Sequence, residues 1–489
     1  MTQLTELVAS VNDVYWYGVI ALLVTAGLYF SFTTLIVQVR MFPEMLRTIG
    51  EKPSDIEPEK KGISAFRAFT ISAASRVGTG NIAGVAIAIT VGGPGAVFWM
   101  WLIAIIGGAT AFVESTLAQL YKVKGKGSYV GGPAYYIRDG LGWKPMAVAF
   151  AVIITVTYGF VFNAVQANSI SESVRNQFDL DGAGSGLLIG LGLALVVGLV
   201  IFGGVRRLSA VTEVLVPVMA VAYIVVALVV VALNITEVPG MVALIVGHAL
   251  GFREIAGAAI GAAIMQGMRR GLFSNEAGMG SVPDAAATAS VSHPVKQGLV
   301  QALGVYFDTL IVCSATAFII LLADPDFGGD REGISLTQDS LASQVGDWGV
   351  PFLMVVIFFL AFSSILGNSY YGEANINFLR GNPRAINAFR ALVLVAVLGG
   401  ALGSVDLVWG MADLFMGFMA TINLIAIIPL GGLAVALLRH YLQQRAKGHN
   451  PVFHRDDLPQ AKNVTSWDGS DPMTHQHVAD EAREVKAEE

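Results

Sequence analysis

The chain has 489 residues, 54% of them apolar and only 13% charged, with a mean hydropathy of +0.64. A soluble chain carries about 25% charged residues, so half the surface charge that water demands is missing, which excludes a water-soluble globular protein. The formal net charge of −6 carries no basic excess of the kind nucleic acid attracts, and the lone Cys313 excludes a disulfide framework.

The expected class is therefore an all-α polytopic membrane protein, and the 55 glycines agree, since Gly is frequent in membrane helices. About 20 apolar residues cross a bilayer core as a helix. Windows of that size fall near 14–37, 65–92, 95–121, 145–169, 184–204 and 209–234, then near 254–275, 297–322, 350–378, 385–404 and 409–438. Eleven spans are expected. The N-terminus lacks a basic region and a small-residue cleavage site, so the first window reads as a retained span.

The loops orient these spans. Alternate loops (38–64, 122–144, 205–208, 269–296 and 379–384) hold seventeen Lys and Arg, Arg269 and Arg270 among them, before the tail adds more. The loops between hold only Arg175, Arg253 and Arg331. Positive-inside bias then places the N-terminus outside and the C-terminus in the cytoplasm, with the inner membrane as the expected location. The long stems of Arg269 and Arg270 are expected to snorkel to the cytoplasmic interface. Four segments follow: 1–64 with the first helix and its loop, 65–234 and 235–440 as two core repeats, and 441–489 as a polar, partly disordered tail.

Two spans are interrupted. The second carries Gly78-Thr79-Gly80-Asn81 at mid-bilayer, a poor helix in any medium. The seventh carries a comparable interruption somewhere in Met265-Gln266-Gly267 to Gly278. Unwound backbone at membrane depth is tolerated only where protein or a water-filled cavity receives its polar groups. The two interruptions lie five spans apart, the odd offset that an inverted repeat requires, and paired broken helices mark a transporter's binding site. The competing reading is close packing through small residues.

The eighth span places Asp308-Thr309 about a dozen residues deep. An intramembrane carboxylate is costly and functional by default, so cation coordination is expected there, with a structural ion pair as the competing reading. Asn163 and Gln166, one turn apart on the fourth span, either face the site or make interhelical hydrogen bonds. Phe160, Phe162 and Met265 are candidates for limiting substrate size. Arg76, Glu114, Glu276 and Glu373 are further charges in or near spans, and an Arg76–Glu276 pair would make an inner gate.

The runs VGTGNIAGVAIAI (77–89), GGPGAVFWMW (92–101), GGPAYYIRDGLG (131–142), QGMRRGLFSNEAGMGS (266–281), HPVKQGLVQALGVYFDT (293–309) and NPVFHRDDLP (450–459) resemble the alanine or glycine:cation symporter family. The resemblance implies an extra first helix before a ten-helix, LeuT-type inverted-repeat core. It also implies Na⁺- or H⁺-coupled uptake of small neutral amino acids, with no other cofactor. On the same resemblance, the Thr79-Gly80 backbone, Asn163, Gln166, Gln266 and Gly267 would hold the substrate. Asn81 would ligate Na⁺ beside Asp308 and Thr309. Ser363 and Ser364, with the carbonyls of Ala74 and Val77, would form a second Na⁺ site, unless the two hydroxyls only bond back to their own helix. Asn368 stands where the family pattern often has an aromatic, which would alter substrate size or affinity if it lines the pathway.

Other classes fit less well. A channel calls for a selectivity filter, and no TVGYG-like run is present; an enzyme calls for a nucleophile with its base or a metal triad, and the spans carry neither. The same scaffold with another cargo (proline, serine, glutamine or a D-amino acid) stays open.

Overall fold

The structure is a computed structural model and describes all residues except 1, 52–62, 126–127, 181–182, 204, 253–256, 325–332, 472 and 475–489. The long helices are α1 (Thr2–Thr33), α2 (Ala65–Arg76), α3 (Ala83–Gly92), α4 (Gly95–Leu120), α5 (Lys144–Phe178) and α6 (Ala183–Ile201). They continue as α7 (Val205–Leu233), α8 (Gly257–Asn275), α9 (Pro294–Leu322), α10 (Gly349–Leu379), α11 (Pro383–Leu402) and α12 (Val405–Ala446). Local chemistry sets several starts. The Ser64 hydroxyl accepts from the Arg67 N–H at 3.2 Å to cap α2, and Asn382 caps α11 with Pro383 in the first helical position.

Nine helices among the described residues are long and apolar enough to cross a membrane, and α2 with α3 makes a tenth, bent by 62°. The expected eleventh corresponds to α8, where Gln266, Arg269, Arg270, Ser274 and Asn275 make the composition too polar to count on that basis. The helix exists because its polar side is turned inward.

Helix α4 is the central column, packed by α1, α8 and α9, while α10 packs on α2, α5 and α7. The rim helices are inverted relative to a soluble fold. Leu188, Leu195 and Leu199 on α6, Val214, Val218 and Val221 on α7, and Leu392 and Val395 on α11 are exposed, as a lipid-facing surface requires.

Three expectations change. Helix α8 is unbroken through Gln266 and Gly267, and the chain unwinds only after Asn275. There Glu276, Gly278 and Gly280 adopt φ of +57°, +87° and +84°. Arg269 and Arg270 do not snorkel to the basic end. Arg270 is buried in an ion pair with Asp413 and lies over the Trp409 ring, and Arg269 donates to the Asn12 carbonyl at 2.9 Å beside Trp16. Both sit toward the end of the bundle where α1 and α12 begin, because a buried carboxylate and two ring faces satisfy them there.

The third change is the tail. α12 runs to Ala446, past the expected boundary at 441, and the chain from 450 to 471 packs on the basic end instead of trailing as disorder. The Phe453 N–H donates to the Ser292 carbonyl at 2.9 Å, and the Trp467 indole N–H to the Gln119 carbonyl at 2.9 Å. The Lys122 ammonium lies 4.2 Å from the Trp467 ring and 4.0 Å from that of Tyr129, and donates to the Ala289 carbonyl at 3.0 Å. The rest of the tail, 475–489, lies outside the described residues.

Candidate functional site

The site forms where α2 and α3 part. After Arg76 the helix stops, Val77 and Gly78 turn away, and Thr79–Asn81 make a single tight turn before α3. This turn closes on itself, since the Asn81 Oδ1 accepts from the Gly78 N–H at 3.0 Å. Gly78 is required by a close approach: a Cβ there would stand 2.2 Å from the Ser364 hydroxyl on α10. The expected first break is thus present, and it faces α5, α8, α9 and α10 together.

Asp308 and Thr309 lie on a stretch of α9, Tyr306–Cys313, wound with wider i→i+5 hydrogen bonding. Such bulges occur often at functional sites because they re-aim side chains. The Asp308 Oδ1 accepts from the Asn81 amide at 2.7 Å, and its Oδ2 accepts from the Ser274 hydroxyl on α8. Thr309 Oγ1 lies 3.3 Å from the same Oδ2 and accepts from the Asn275 amide at 3.2 Å. The Cys313 sulfur completes the wall, 3.0 Å from Ser274 Oγ. Asn81, Ser274, Asp308 and Thr309 are each at most 1% exposed, and among the described residues no Lys or Arg forms an ion pair with Asp308. Two hydroxyl oxygens and a carboxylate from α8 and α9 converge there beside Asn81, the donor set of a hard cation.

Gln166 reaches the break, while Asn163, on the same helix, bonds to that helix's own backbone and to α10. The Gln166 Oε1 accepts from the Thr79 N–H at 3.2 Å, so it occupies the position of an acceptor such as a carboxylate oxygen. Asn163 donates to the Gly159 carbonyl at 3.0 Å and accepts from Asn368 at 3.1 Å. The Thr79 hydroxyl is buried, with no hydrogen-bond partner among the described residues. On the other side of the break, the Phe273 ring covers Gly80 and packs, tilted, between Phe162 (4.8 Å) and Trp409 (5.0 Å). Beyond Trp409 lies the Arg270–Asp413 pair, so one way out of the site is closed by aromatic rings and then by charge.

Ser363 and Ser364 donate to the Leu360 carbonyl at 2.8 and 3.0 Å, the local back-bonding that competes with ligation. They nevertheless sit beside the end of α2: a Cβ on Gly367 would meet the Ala74 carbonyl carbon at 3.2 Å, and Ser364 abuts Gly78. Ala74 and Gly78 therefore meet Gly367 and Ser364 on one packed seam between α2 and α10.

Other candidates fall elsewhere. Gln266 lies against Gly92, and Gly267 against Ala96 and Trp99, where any Cβ would collide with the α4 backbone at 2.5 Å. Nine residues of intact helix, about 13 Å, separate Gln266 from the unwound segment. They are close-packing positions of α8, because the helix breaks later than expected. Phe160 packs on Phe389 at 5.8 Å, and Met265 lies one residue before Gln266, so of the three size candidates only Phe162 adjoins the break. Arg76 does not pair with Glu276; its guanidinium binds the Gln301 amide oxygen at 2.6 Å and Ser72 at 2.9 Å. Glu373 is held by Arg390, and Glu114 accepts from the Gly278 N–H at 3.0 Å and from Asn423 at 2.7 Å. Ser274, Phe273 and Asn275, unassigned from sequence, also join the cluster, against Asp308, Gly80 and Thr309. The signal was there: Phe-Ser-Asn stands immediately before the Gly-rich unwinding.

A family model described as the sodium:alanine symporter family matches residues 1–455. The chain is 50% identical over 479 residues to the probable sodium/glutamine symporter GlnT of Bacillus subtilis (strain 168), covering 98% of this chain and 99% of that one. It is 49% identical over 457 residues to the amino-acid carrier protein AlsT of the same organism, covering 94% and 96%. It is 38% identical over 440 residues to the sodium/alanine symporter AgcS of Methanococcus maripaludis, covering 88% and 96%. Among solved structures, MhsT in complex with L-phenylalanine matches with a TM-score of 0.54 at 15% identity, covering 83% of this chain and 94% of that one. The shared fold is the LeuT type.

Proposed function

Because the chain belongs to the sodium:alanine symporter family, we propose that it is a Na⁺-coupled symporter of small neutral amino acids, alanine or glycine foremost, that works by alternating access. The observation that carries this reading is the buried Asn81–Ser274–Asp308–Thr309 oxygen cluster directly against the unwound Thr79–Gly80 backbone. Here Asn81 and Ser274 aim protons at Asp308. Na⁺ would replace that role: the cation neutralises the carboxylate, Asn81 turns its carbonyl inward, and the break is stiffened for substrate. The substrate carboxylate would take the Thr79 N–H from Gln166, and Phe162 and Phe273 would wall the side chain. A second ion at the Ala74, Val77, Ser363 and Ser364 seam would tie α2 to α10.

The orientation that fits puts the basic end and the tail in the cytoplasm and the N-terminus outside the plasma membrane. The Phe273–Trp409 rings and the Arg270–Asp413 pair then form the external closure. One positive charge moving inward across ~100 mV supplies about 2.3 kcal/mol, roughly fifty-fold accumulation per ion.

Glutamine is the second cargo to test, favoured by the relative named for it and by the amides of Asn163, Gln166 and Asn368 around the break. Proteoliposomes given labelled alanine should accumulate it under an inward Na⁺ gradient, with unlabelled glycine, alanine and glutamine ranked by competition. Equal uptake with and without any cation gradient would sink the proposal.

A further inference from the structure

Helix α12 carries two glycines in a row that meet opposite surroundings. A Cβ on Gly431 would stand 2.6 Å from the Phe30 ring of α1, whereas a Cβ on Gly432 would meet nothing within 4 Å. Gly432 has no left-handed φ that requires it, and glycine weakens a helix interior wherever it stands. What it leaves is space. A cavity of about 330 Å³ opens there between α1 and α12, lined by Tyr29, Thr33, Gly432, Val435, Ala436 and Arg439.

The cavity has an apolar length and a charged end. Gly432, Val435 and Ala436 offer no polar side chain, and Tyr29 beside them is 44% exposed. Seven residues beyond Gly432, about 10 Å along the helix, Arg439 is exposed. Its guanidinium makes no hydrogen bond or ion pair among the described residues. Arg445, further along the same helix, is instead held by Glu44 at 3.1 Å. The Arg40 guanidinium donates to the Thr34 carbonyl at 3.3 Å, one residue past Thr33, and adds positive charge at that end.

Neighbouring elements fix the depth of Arg439 in the membrane. After α1 the chain turns through Leu35 and Ile36 at φ +55° and +53°. The short helix Phe42–Ile49 follows, with Phe42 and Leu46 exposed and Met45 and Thr48 buried. A helix with exposed apolar side chains next to charged ones lies along a bilayer surface. Its Glu44 is the group that holds Arg445, so the stretch of α12 from Arg439 to Arg445 stands at headgroup depth.

An apolar groove open to the side, with a guanidinium at headgroup depth, is the shape of a lipid. The apolar length cannot select among lipids, because bilayer tails are as apolar as the groove. Selection falls to charge. A guanidinium grips a phosphate through two parallel hydrogen bonds, and none of the six lining residues is acidic to receive the ammonium of a zwitterionic headgroup. A free phosphate would leave the apolar length empty.

We propose that the groove between α1 and α12 binds an anionic phospholipid of the leaflet at the basic end, its phosphate on Arg439 and one acyl chain over Gly432, Val435 and Ala436. The lipid fills a seam that the two helices leave open. The inference does not rest on the symport reading, and its test needs no transport.

Native mass spectrometry reads the site on the full chain, released from detergent holding equal phosphatidylglycerol and phosphatidylcholine with the same acyl chains. Wild-type protein should retain phosphatidylglycerol over phosphatidylcholine by about fivefold, the worth of one basic side chain at a membrane surface. Arg439→Gln should erase that preference. Gly432→Leu puts its side chain into the open space and should expel the retained lipid without changing elution from a sizing column. Arg445→Gln should leave the preference intact, because Glu44 already engages that guanidinium. Equal retention of the two lipids by wild type, a preference that survives Arg439→Gln or Gly432→Leu, or one lost equally in Arg445→Gln would overturn the site. Displacement of the lipid by dissolved glycerol phosphate would do the same. Should Gly432→Leu not fold, the two arginine variants decide alone.

Discussion

Asp308 shows how one residue sets the chemistry of a span. A carboxyl buried to 1% exposure with amide and hydroxyl donors, and no basic ion-pair partner among the described residues, is a costly group to keep in its surroundings. Asp308→Asn keeps the shape and removes the charge. It is expected to lose a charge-assisted contact of about 1.5–3 kcal/mol, raising the Na⁺ concentration for half-maximal uptake at least about tenfold. Uptake measured against Na⁺ concentration reads this directly. Gly78 tests the packing side of the same site. Gly78→Ala puts a methyl on the Ser364 hydroxyl and should cost about 1–3 kcal/mol of stability in detergent, partly recovered when Ser364→Gly is added. Asp308, Asn81 and Gly78 were legible in the sequence because an isolated polar or flexible residue in an apolar run needs a reason. Ser274 was not, since a serine near a helix end is unremarkable until Asp308 is brought to it from another span.

Helix α8 teaches the same lesson at the scale of elements. Gly267 and Gly271 look like helix breakers in a list of residues, yet both are contact points where α4 presses close, and the helix passes through them intact. The break falls instead at Glu276–Ser281, where positive φ values demand it. Helix propensity alone cannot separate the two, because a glycine that packs and a glycine that bends look identical in sequence. The neighbouring Arg270–Asp413 pair depends on the same placement. Asp413→Asn strands a buried guanidinium and should lower stability by about 3–5 kcal/mol, whereas replacing both residues with leucine should be close to neutral. Thermal unfolding followed by size-exclusion fluorescence separates these outcomes.

Across the whole molecule, the tail is the largest departure from composition. Residues 450–471 are polar, yet Trp467 is buried between Gln119 and Lys122, and Asp471 accepts from Ser290 and Tyr129. Trp467→Ala should remove the anchor at a local cost of about 3–5 kcal/mol and make the tail after Ala446 an early target of limited proteolysis. The basic end also has an acid limit. Burial alone would raise the Glu44 carboxyl, but hydrogen bonds from Arg47 and Tyr441, with Arg445 nearby, outweigh it and hold it below its usual value. A carboxyl lowered in the folded state contributes stability above its free value, near pH 4.5, and loses it as pH falls through the lowered one. Hydrogen-exchange protection in 42–49, taken relative to the intrinsic rate at each pH, is therefore expected to fall below about pH 4.5 and to stay flat above it.

The sequence by itself determined that this chain lives in lipid, that its second span breaks at Gly78–Asn81, and that Asp308 is a carboxyl set deep within a span. These follow from local composition, because apolar length and an uncompensated charge need no partner to be recognised. Only the tertiary structure decided where α8 unwinds, that Arg269 and Arg270 turn inward to Asp413 and the rings, that Arg76 takes Gln301 rather than Glu276, and that the tail folds back. Each of those depends on which distant group offers a hydrogen bond, a charge or a ring face. That choice is made between helices brought together by packing, not within any one of them.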